Sequence, residues 1–553
     1  MRHAMKAPFI ALAVALLPSP ALAETLISNV NGIQVGADGK LQHFGSVLIG
    51  DDGRVEAVIS TASPRVKKYD QLIDGGGRTL LPGFIDAHGH VLGLGFSALQ
   101  LDLVGTSSLE DLQNRLKDYA AAHPDARWIV GRGWNQELWP VKKFPTAADL
   151  DAVVPDRPVV LERVDGHAVV ANSAAMKAAG VTGATQAPSG GRIEDGLFVD
   201  NATELVTKAV PEPTEAEYDR AFAKAQQILL GYGITSVGSM STALDDWNAM
   251  KRAGKSGRLR VRFMVYADEL KLLAEVPKPT PWLFGDHLRM VGIKFYADGA
   301  LGSRGAWLKQ PYADKLDTRG LRFHSDEELL KLADTAASHG FQIATHAIGD
   351  AANAQVISVY EQMSKEYGAD RRWRIEHFQV VDPADIPRLK PAGIIASMQP
   401  THQTSDRLMA EARLGPDRLN GAYAWRTVEK LGIPLAFGTD FPVESPNPFP
   451  GLSAAISRQD MNGQPPGGWI PSERLDFSQA LAAYTRGAAY AGFADERIGS
   501  LEPGKWADFV IVDRDPSTAD QQSLARIEVL ETWIAGKKAW ERPSSAAAPE
   551  RGK

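Results

Sequence analysis

Two histidines at the end of one predicted strand are the sharpest chemical signal in the sequence. They lie in residues 83–90 (GFIDAHGH), where an apolar run ends in His-Gly-His. Because side chains alternate between the two faces of a strand, His88 and His90 point to the same side. Two imidazoles on one side suit a divalent metal ion, although such a pair alone also occurs as two surface histidines.

Three more residues of metal-ligand type stand at the ends of other apolar runs. His346 follows residues 342–345, His377 follows residues 374–376, and Asp440 comes directly after a short apolar run. For any one of them, a buried structural residue or a surface residue is the more common situation. Their occurrence at three separate strand ends indicates a shared metal site.

Lys294 lies inside an otherwise apolar strand, residues 291–296 (VGIKFY). A buried lysine is costly unless it is paired or modified. One interpretation is a structural ion pair with Asp298 or another acid. The other is a carbamate formed with CO₂, a carboxylate-like anion that can bridge two metal ions. The residues themselves leave both open.

A repeated pattern of short apolar strands and amphipathic helices must position these residues. The eight runs that resemble buried strands are residues 83–87, 235–238, 262–267, 292–296, 342–345, 374–376, 394–398 and 435–438. Helical stretches lie between several of them, as at 326–339 and 351–367. Strands alternating with helices imply a parallel sheet, and eight units allow closure into an α/β barrel of the (β/α)₈ TIM type.

The barrel is predicted over residues 81–494, and it includes a long insertion. Residues 96–220 separate the first two strands by far more than a normal connection. This stretch has strand signals at 128–130 and 158–161 and a helical signal at 173–179. We expect an inserted subdomain after the first barrel strand, placed where it could cover the barrel mouth.

The sequences of both chain ends show the pattern of short antiparallel strands separated by turns. Because isolated short sheets are marginally stable, residues 24–80 and 495–541 are predicted to join into one small β-sandwich domain. Residues 542–553 are small and polar, which predicts a disordered tail.

Residues 1–23 have the pattern of a secretory signal peptide. Arg2 and Lys6 form a basic start, residues 7–17 are apolar, and a small-x-small triplet ends at Ala23. The apolar run is too short to span a bilayer. The mature chain is therefore expected in the periplasm or outside the cell, with no membrane insertion after cleavage.

Composition excludes several classes of function. The chain contains no cysteine, which excludes disulfides, thiol nucleophiles and thiolate metal ligands. Its formal net charge of -7 argues against a general nucleic-acid binder, which needs a basic face. A small-molecule substrate is the predicted partner, and homo-oligomerisation is left open.

Several motifs together resemble the amidohydrolase superfamily, and more closely the amidohydrolase 3 family, the group of YtcJ-like proteins and N-substituted formamide deformylase. Residues 83–90 resemble the first-strand motif of the superfamily. The other matching motifs are residues 80–83 (LLPG), 131–134 (GRGW), 165–167 (DGH), 172–173 (NS), 294–304 (KFYADGALGSR), 345–350 (THAIGD), 375–377 (IEH) and 499–508 (GSLEPGKWAD). The resemblance extends over nearly all of the chain after residue 23.

The resemblance implies a metal centre that holds one or two zinc ions. The implied ligands are His88, His90, Lys294, His346, His377 and Asp440. The two histidines of the first strand would bind one ion, and His346 and His377 the other. Lys294 would bridge both as a carboxylated lysine. Asp440 would bind metal and act as general base and acid.

The implied reaction is hydrolysis of an amide-type C–N bond by metal-activated water. Hydrolysis of an ester, lactone or carbamate at the same site is an alternative, and so is a catalytically silent binding protein on the same scaffold. Deamination is disfavoured, because deaminases of the superfamily usually lack the bridging lysine.

Four further polar residues each have two interpretations. His167, in the insertion, would act as a catalytic residue at the substrate carbonyl, or it is a structural turn histidine. Asp298, Arg304 and Asp350 would hold the metal ligands in place, or they cap helices and loops.

Overall fold

The computed structural model describes residues 24–61, 69–163, 168–188, 191–200 and 202–543. The predicted signal peptide, His167 and most of the predicted tail lie outside these residues. Within the described ranges, the helices are too short or too polar to cross a membrane.

Eight parallel strands form the central sheet, and all eight were predicted. Numbered in chain order, they are β1 (Phe84–Gly89), β2 (Ile234–Thr242), β3 (Arg262–Asp268), β4 (Leu288–Tyr296), β5 (Gln342–Ala347), β6 (Arg374–His377), β7 (Ile395–Met398) and β8 (Leu435–Phe437). Each strand is hydrogen bonded to the next along the chain. The sequence therefore predicted the barrel correctly.

The barrel closes where the chain beyond β8 returns beside β1. The backbone N–H of Asp440 donates to the carbonyl of His88 (2.7 Å), and that of His90 donates to the carbonyl of Phe441 (2.8 Å). Gly438 makes this approach sterically feasible, because a Cβ atom there would lie 2.6 Å from the backbone nitrogen of His88. The first and last strands thus meet at the predicted metal ligands.

The barrel strands are apolar on both faces, as a covered parallel sheet requires. On β3, Phe263 and Val265 belong to the large core cluster that includes the surrounding helices. Met264 and Tyr266, which alternate with them, belong to a separate cluster. One face therefore packs against helices and the other fills the barrel.

Helices after the strands cover the barrel, and several have clear start signals. Thr214 and Glu217 form a capping box at one helix, and Ser325 and Glu328 form one at another. The helices of the barrel and chain ends are Val91–Leu99, Glu215–Gly231, Leu244–Lys255, Asp326–Ser338, Asp350–Tyr367, Pro400–Leu414, Trp425–Lys430, Pro448–Ser457, Phe477–Ala482, Ala488–Ala491 and Gln521–Ala525.

The long connection after β1 builds a sheet of its own, which confirms the predicted insertion. Its six strands are Leu101–Asp102, Ile129–Trp134, Val159–Arg163, Ala168–Ala171, Gly191–Glu194 and Leu197–Asp200, and its helices are Leu109–Ala122, Ala147–Asp151, Ser173–Ala178 and Glu204–Thr207. A separate apolar cluster around Leu116, Trp134 and Leu161 supports it. The expectation that this inserted subdomain covers the barrel mouth stays a prediction.

Strands from both chain ends share one sheet, as predicted. Its order is Lys537–Glu541, Val529–Ile534, Phe509–Val512, Thr79–Pro82, Asn31–Val35 and Leu41–Phe44. A second sheet contains Val55–Ile59, Ser46–Ile49, Thr25–Ser28 and Gln71–Asp74. Ile27, Val47 and Phe509 share one core between the sheets. The exact domain boundaries stay predictions.

Candidate metal centre

The structure brings the six predicted metal ligands together at the carboxyl end of the barrel. Nε2 of His90 lies 3.1 Å from Oδ1 of Asp440, and Nε2 of His88 lies 3.4 Å from the same oxygen. Nζ of Lys294 is 3.4 Å from Nε2 of His88. The ring of His377 lies 4.8 Å from that of His88 and 4.5 Å from that of His346, measured between centroids.

Two overlapping groups of side chains have the spacing of a metal site. One is His88, His90 and Asp440, and the other is His377, His402 and Asp440; in each group the ligand atoms lie within 4.8 Å of one another. The sequence analysis missed His402. It lies in the first turn of the helix Pro400–Leu414, directly after β7.

Three buried atoms of these ligand-type side chains lack the hydrogen bonds that burial normally demands. They are Nε2 of His346, Nε2 of His402 and Oδ1 of Asp440, and none makes a hydrogen bond of suitable geometry within the described part of the chain. Such atoms are rare in folded proteins unless an ion or water satisfies them. Imidazole nitrogen and carboxylate oxygen are zinc-type donors, so the residues present fit a divalent metal ion.

A carboxylate behind His88 fixes the orientation of that imidazole. Oε2 of Glu376 lies 2.7 Å from Nδ1 of His88, and both side chains are fully buried. Burial raises the pKa of Glu376, but the neighbouring Arg374 guanidinium outweighs burial and holds this pKa below its ordinary value. The ionised Glu376 accepts the Nδ1 hydrogen, which leaves the Nε2 lone pair of His88 free for a metal.

Glu376 was not predicted as a functional residue, although a signal for it exists. Arg374 and Glu376 alternate with Ile375 along a fully buried strand, so both charges share one face. Nε of Arg374 donates to Glu376 (2.7 Å). The same guanidinium donates to the hydroxyl of Tyr266 (2.8 Å) and to the carbonyl of Ala87 (2.8 Å).

His377 is oriented in a similar way by Gln399, which follows β7. The amide oxygen of Gln399 lies 2.9 Å from Nδ1 of His377. An acceptor at this distance favours a hydrogen on Nδ1 and a lone pair on Nε2. His377 is thereby prepared to bind a metal through Nε2.

Burial keeps His88, His346 and His377 uncharged. It lowers the pKa of His88 to about 4 and that of His346 to about 3, and the charge of Lys294 adds to both effects. Burial also lowers the pKa of His377. Neutral imidazoles are the form that binds metal, so these ligands need not lose a proton near neutral pH.

Asp440 is the anion among these neutral rings. Burial raises its pKa, but the surrounding histidines, His88 foremost, outweigh burial and hold the pKa well below its usual value. The side chain is therefore ionised at neutral pH. It can bind a cation or accept a proton.

Lys294 has no close carboxylate partner among the described residues. The predicted alternative of an ion pair with Asp298 is wrong, because Asp298 instead accepts the backbone N–H groups of Ile348, Gly349 and Trp307. Burial lowers the pKa of Lys294 to about 8. Its Nζ lies 3.4 Å from Nε2 of His88, but a buried ammonium without a counter-ion costs free energy, and modification or metal binding relieves that cost.

The other predicted polar residues are divided between the site and its surroundings. Oδ1 of Asp298 lies 3.5 Å from Nε2 of His346, next to the cluster. Arg304 instead pairs with Asp314 (2.9 Å), and Asp350 accepts the backbone N–H of Lys309 (2.8 Å). Neither contacts a proposed ligand, so their loop-capping interpretation applies. His167 lies outside the described residues.

Comparison with known sequences identifies a matching family. The model described as amidohydrolase family matches residues 71–539. The protein YtcJ of Bacillus subtilis (strain 168) is 33% identical over 481 residues, which cover 84% of this chain and 90% of YtcJ. N-substituted formamide deformylase of Arthrobacter pascens is 25% identical over 500 residues, covering 86% of this chain and 91% of that protein.

Comparison with solved structures finds a metal-dependent hydrolase of similar fold. An uncharacterized metal-dependent hydrolase from Pyrococcus horikoshii OT3 superposes with a TM-score of 0.77 at 29% sequence identity. The match covers 90% of this chain and 99% of that chain.

Proposed function

Because this chain belongs to the amidohydrolase family, we propose that it hydrolyses an amide-type C–N bond in an amide, formamide or N-acyl compound. The observation that carries this proposal is the convergence of imidazole, carboxylate and amine side chains from different strands on one space at the barrel mouth. The chain has the fold, the family and the ligand-type residues of a metal-dependent hydrolase.

We assign the metal centre to zinc, with two ions as the expected number. His88 and His90 would hold one ion, and His346 and His377 the other. Lys294, carboxylated by CO₂, would bridge the two. Its burial and the lack of a carboxylate within ion-pair distance, among the described residues, support this assignment. So does the lowered pKa of His88 and of His346, which keeps both imidazoles neutral.

The chemistry follows from the charge and position of Asp440. A bound zinc ion supplies Lewis acidity, which lowers the pKa of a bound water and polarises a carbonyl group. Asp440, ionised and buried, accepts the proton of the attacking water. It then gives this proton to the departing nitrogen, so one carboxylate serves both proton transfers. The backbone hydrogen bond from Asp440 to His88 (2.7 Å) keeps that carboxylate beside the metal ligands.

The substrate class is narrowed by one relative. N-substituted formamide deformylase is among the similar proteins, so formamides are the first compounds to assay. Esters, lactones and carbamates follow, because the same activated water attacks them.

We also propose that the mature protein begins at Glu24 and acts outside the cytoplasm, which amino-terminal sequencing of the exported protein would test.

Metal content is the experiment that tests the proposal. We expect about two zinc ions per chain in the purified mature protein and a marked loss in Lys294→Ala. Lys309→Ala is the control for removal of a lysine, because Lys309 is partly exposed and pairs with Asp382 and Asp385, which are not among the proposed ligands. One ion in both wild type and Lys294→Ala would indicate a mononuclear enzyme with a structural lysine. No bound ion after zinc is offered would contradict the hydrolase proposal.

A further inference from the structure

Two histidines beside Asp440 are hydrogen bonded to glutamines in opposite senses. At His377, Nδ1 faces the amide oxygen of Gln399 at 2.9 Å. At His402, Nδ1 faces the amide nitrogen of Gln379 at 3.1 Å. An amide nitrogen donates and an amide oxygen accepts. The hydrogen of a neutral imidazole therefore lies on Nδ1 in His377 and on Nε2 in His402.

The amide nitrogen of Gln379 faces His402. Its amide oxygen lies 3.5 Å from the hydroxyl of Tyr423, which donates its hydrogen to Asp406 at 2.8 Å. The carboxylate of Asp440, 3.8 Å from Nε2 of His402, independently favours a hydrogen on that nitrogen. Both Gln379 and His402 are buried. Gln379 comes two residues after His377, so the end of β6 supplies both a metal-type ligand and the group that orients its neighbour.

Nε2 of His402 has no hydrogen-bond partner among the described residues, although it is buried. Its nearest carboxylate oxygen, Oδ2 of Asp440, lies 3.8 Å away, which is too long for a hydrogen bond. The two rings, His377 and His402, lie nearly parallel with centroids 6.0 Å apart. An unused N–H donor therefore faces the space beside the proposed proton carrier.

We infer that His402 is a catalytic residue that donates a hydrogen bond from Nε2 to the carbonyl oxygen of the substrate, and that it is not a metal ligand. This inference rests on the proposed function. Water attack places negative charge on that oxygen, and a fixed N–H donor stabilises this charge. Asp440 carries the proton, and His402 transfers none.

A crystal structure of the zinc-loaded protein tests the first half of the inference without any assay of activity. We expect Nε2 of His402 to lie more than about 3 Å from the nearest zinc ion, because a zinc–imidazole bond is about 2.0–2.1 Å long. A bond of that length at His402 would overturn the inference.

Variants test the second half. We expect His402→Asn to retain the zinc content of the wild type and to lose kcat by about 10²–10³-fold on the best substrate found, as for loss of an oxyanion donor. His43→Asn, in an exposed strand of the terminal sheet, is the control for the substitution itself. Loss of zinc in His402→Asn, or an unchanged kcat, would overturn the inference.

The two glutamines give a sharper comparison. Gln379→Glu replaces the donor by an acceptor of the same shape, so the hydrogen of His402 moves to Nδ1 and the donor at Nε2 is lost. We expect zinc to be retained and kcat to fall as in His402→Asn. Gln399→Glu keeps an acceptor at His377, and we expect it to retain zinc as well. A wild-type kcat in Gln379→Glu would contradict the inference.

Failure of the proposed function can be told apart from failure of this inference. If no formamide, amide, ester or lactone is hydrolysed, the proposed function fails. The zinc-loaded crystal structure then still decides the position of His402. A distance above about 3 Å would support the part of the inference that excludes His402 as a metal ligand, and a zinc bond of about 2.0–2.1 Å would overturn it.

Discussion

Replacing Glu376 by glutamine removes one charge from a buried pair and weakens the support of a proposed metal ligand. Glu376 accepts two hydrogen bonds from Arg374, at 2.7 and 3.1 Å, and the exposed fractions of the two side chains are 0% and 1%. The substitution leaves the Arg374 charge buried without a counter-ion. Breaking a buried pair in this way costs about 3–5 kcal/mol of unfolding free energy.

The structure provides a matched control for this substitution. Arg388 donates two hydrogen bonds to Glu361, at 3.0 and 2.7 Å, but both side chains are 33% exposed. The pair has nearly the same geometry in contact with solvent, and Arg388 keeps a second carboxylate partner, Asp385 at 2.7 Å, when Glu361 is changed. We expect Glu361→Gln to cost no more than about 1 kcal/mol.

Urea unfolding of the metal-free proteins measures this difference in stability. A separate chelator competition measures zinc affinity, which we expect to fall about 10–100-fold in Glu376→Gln, because His88 loses the carboxylate that orients it. Glu361→Gln should bind zinc as the wild type does. Equal urea midpoints for the two variants would refute the argument from burial, and unchanged zinc affinity would refute the argument about His88.

Three further predictions concern the proton carrier, the metal and pH. Asp440→Asn should lower kcat by about 10²–10⁴-fold, the range for general acid–base catalysis, with far-ultraviolet circular dichroism unchanged; a smaller effect would argue against its role. Free zinc at a thousand times its Kd should stabilise the fold by about 4 kcal/mol, seen as a higher Tm than after chelation, and Lys294→Ala should largely lose this response. Hydrogen bonds from Arg304 and Arg413 hold the pKa of Asp314 below its ordinary value of 3.8. This carboxylate therefore stabilises the fold above that value and loses its effect as pH falls through the lowered pKa; a Tm–pH slope below pH 4 that is the same in Asp314→Asn would contradict this.

The barrel strands and the six proposed ligands were predictable because each corresponds to a pattern within a short segment of the sequence. A buried parallel strand is a short apolar run, and a functional residue at its end interrupts that run, as His346 does after residues 342–345. Lys294 was conspicuous because an amine inside an apolar strand needs a physical explanation. Pattern and spacing along one segment were sufficient for these residues.

The supporting residues were missed because their roles depend on contacts between segments. Glu376 acts on His88, which is 288 positions away in the chain, and no local pattern identifies that partner. His402 lies on a helix, where a polar residue in the first turn is ordinary. Arg304 was proposed to hold ligands only because it lies in the motif with Lys294, but its partner is Asp314.

The junction between β1 and β8 also fixes when, during synthesis, the metal centre can form. Asp86 and Thr439, which are hydrogen bonded across that junction, are 353 positions apart. At about 5–20 residues per second, the ribosome delivers the second partner tens of seconds after the first. Until then the nascent chain has His88 and His90 but lacks both Asp440 and the backbone contacts that close the barrel. A bound metal pair would therefore mark a molecule whose translation is past β8 and whose first and last strands have met.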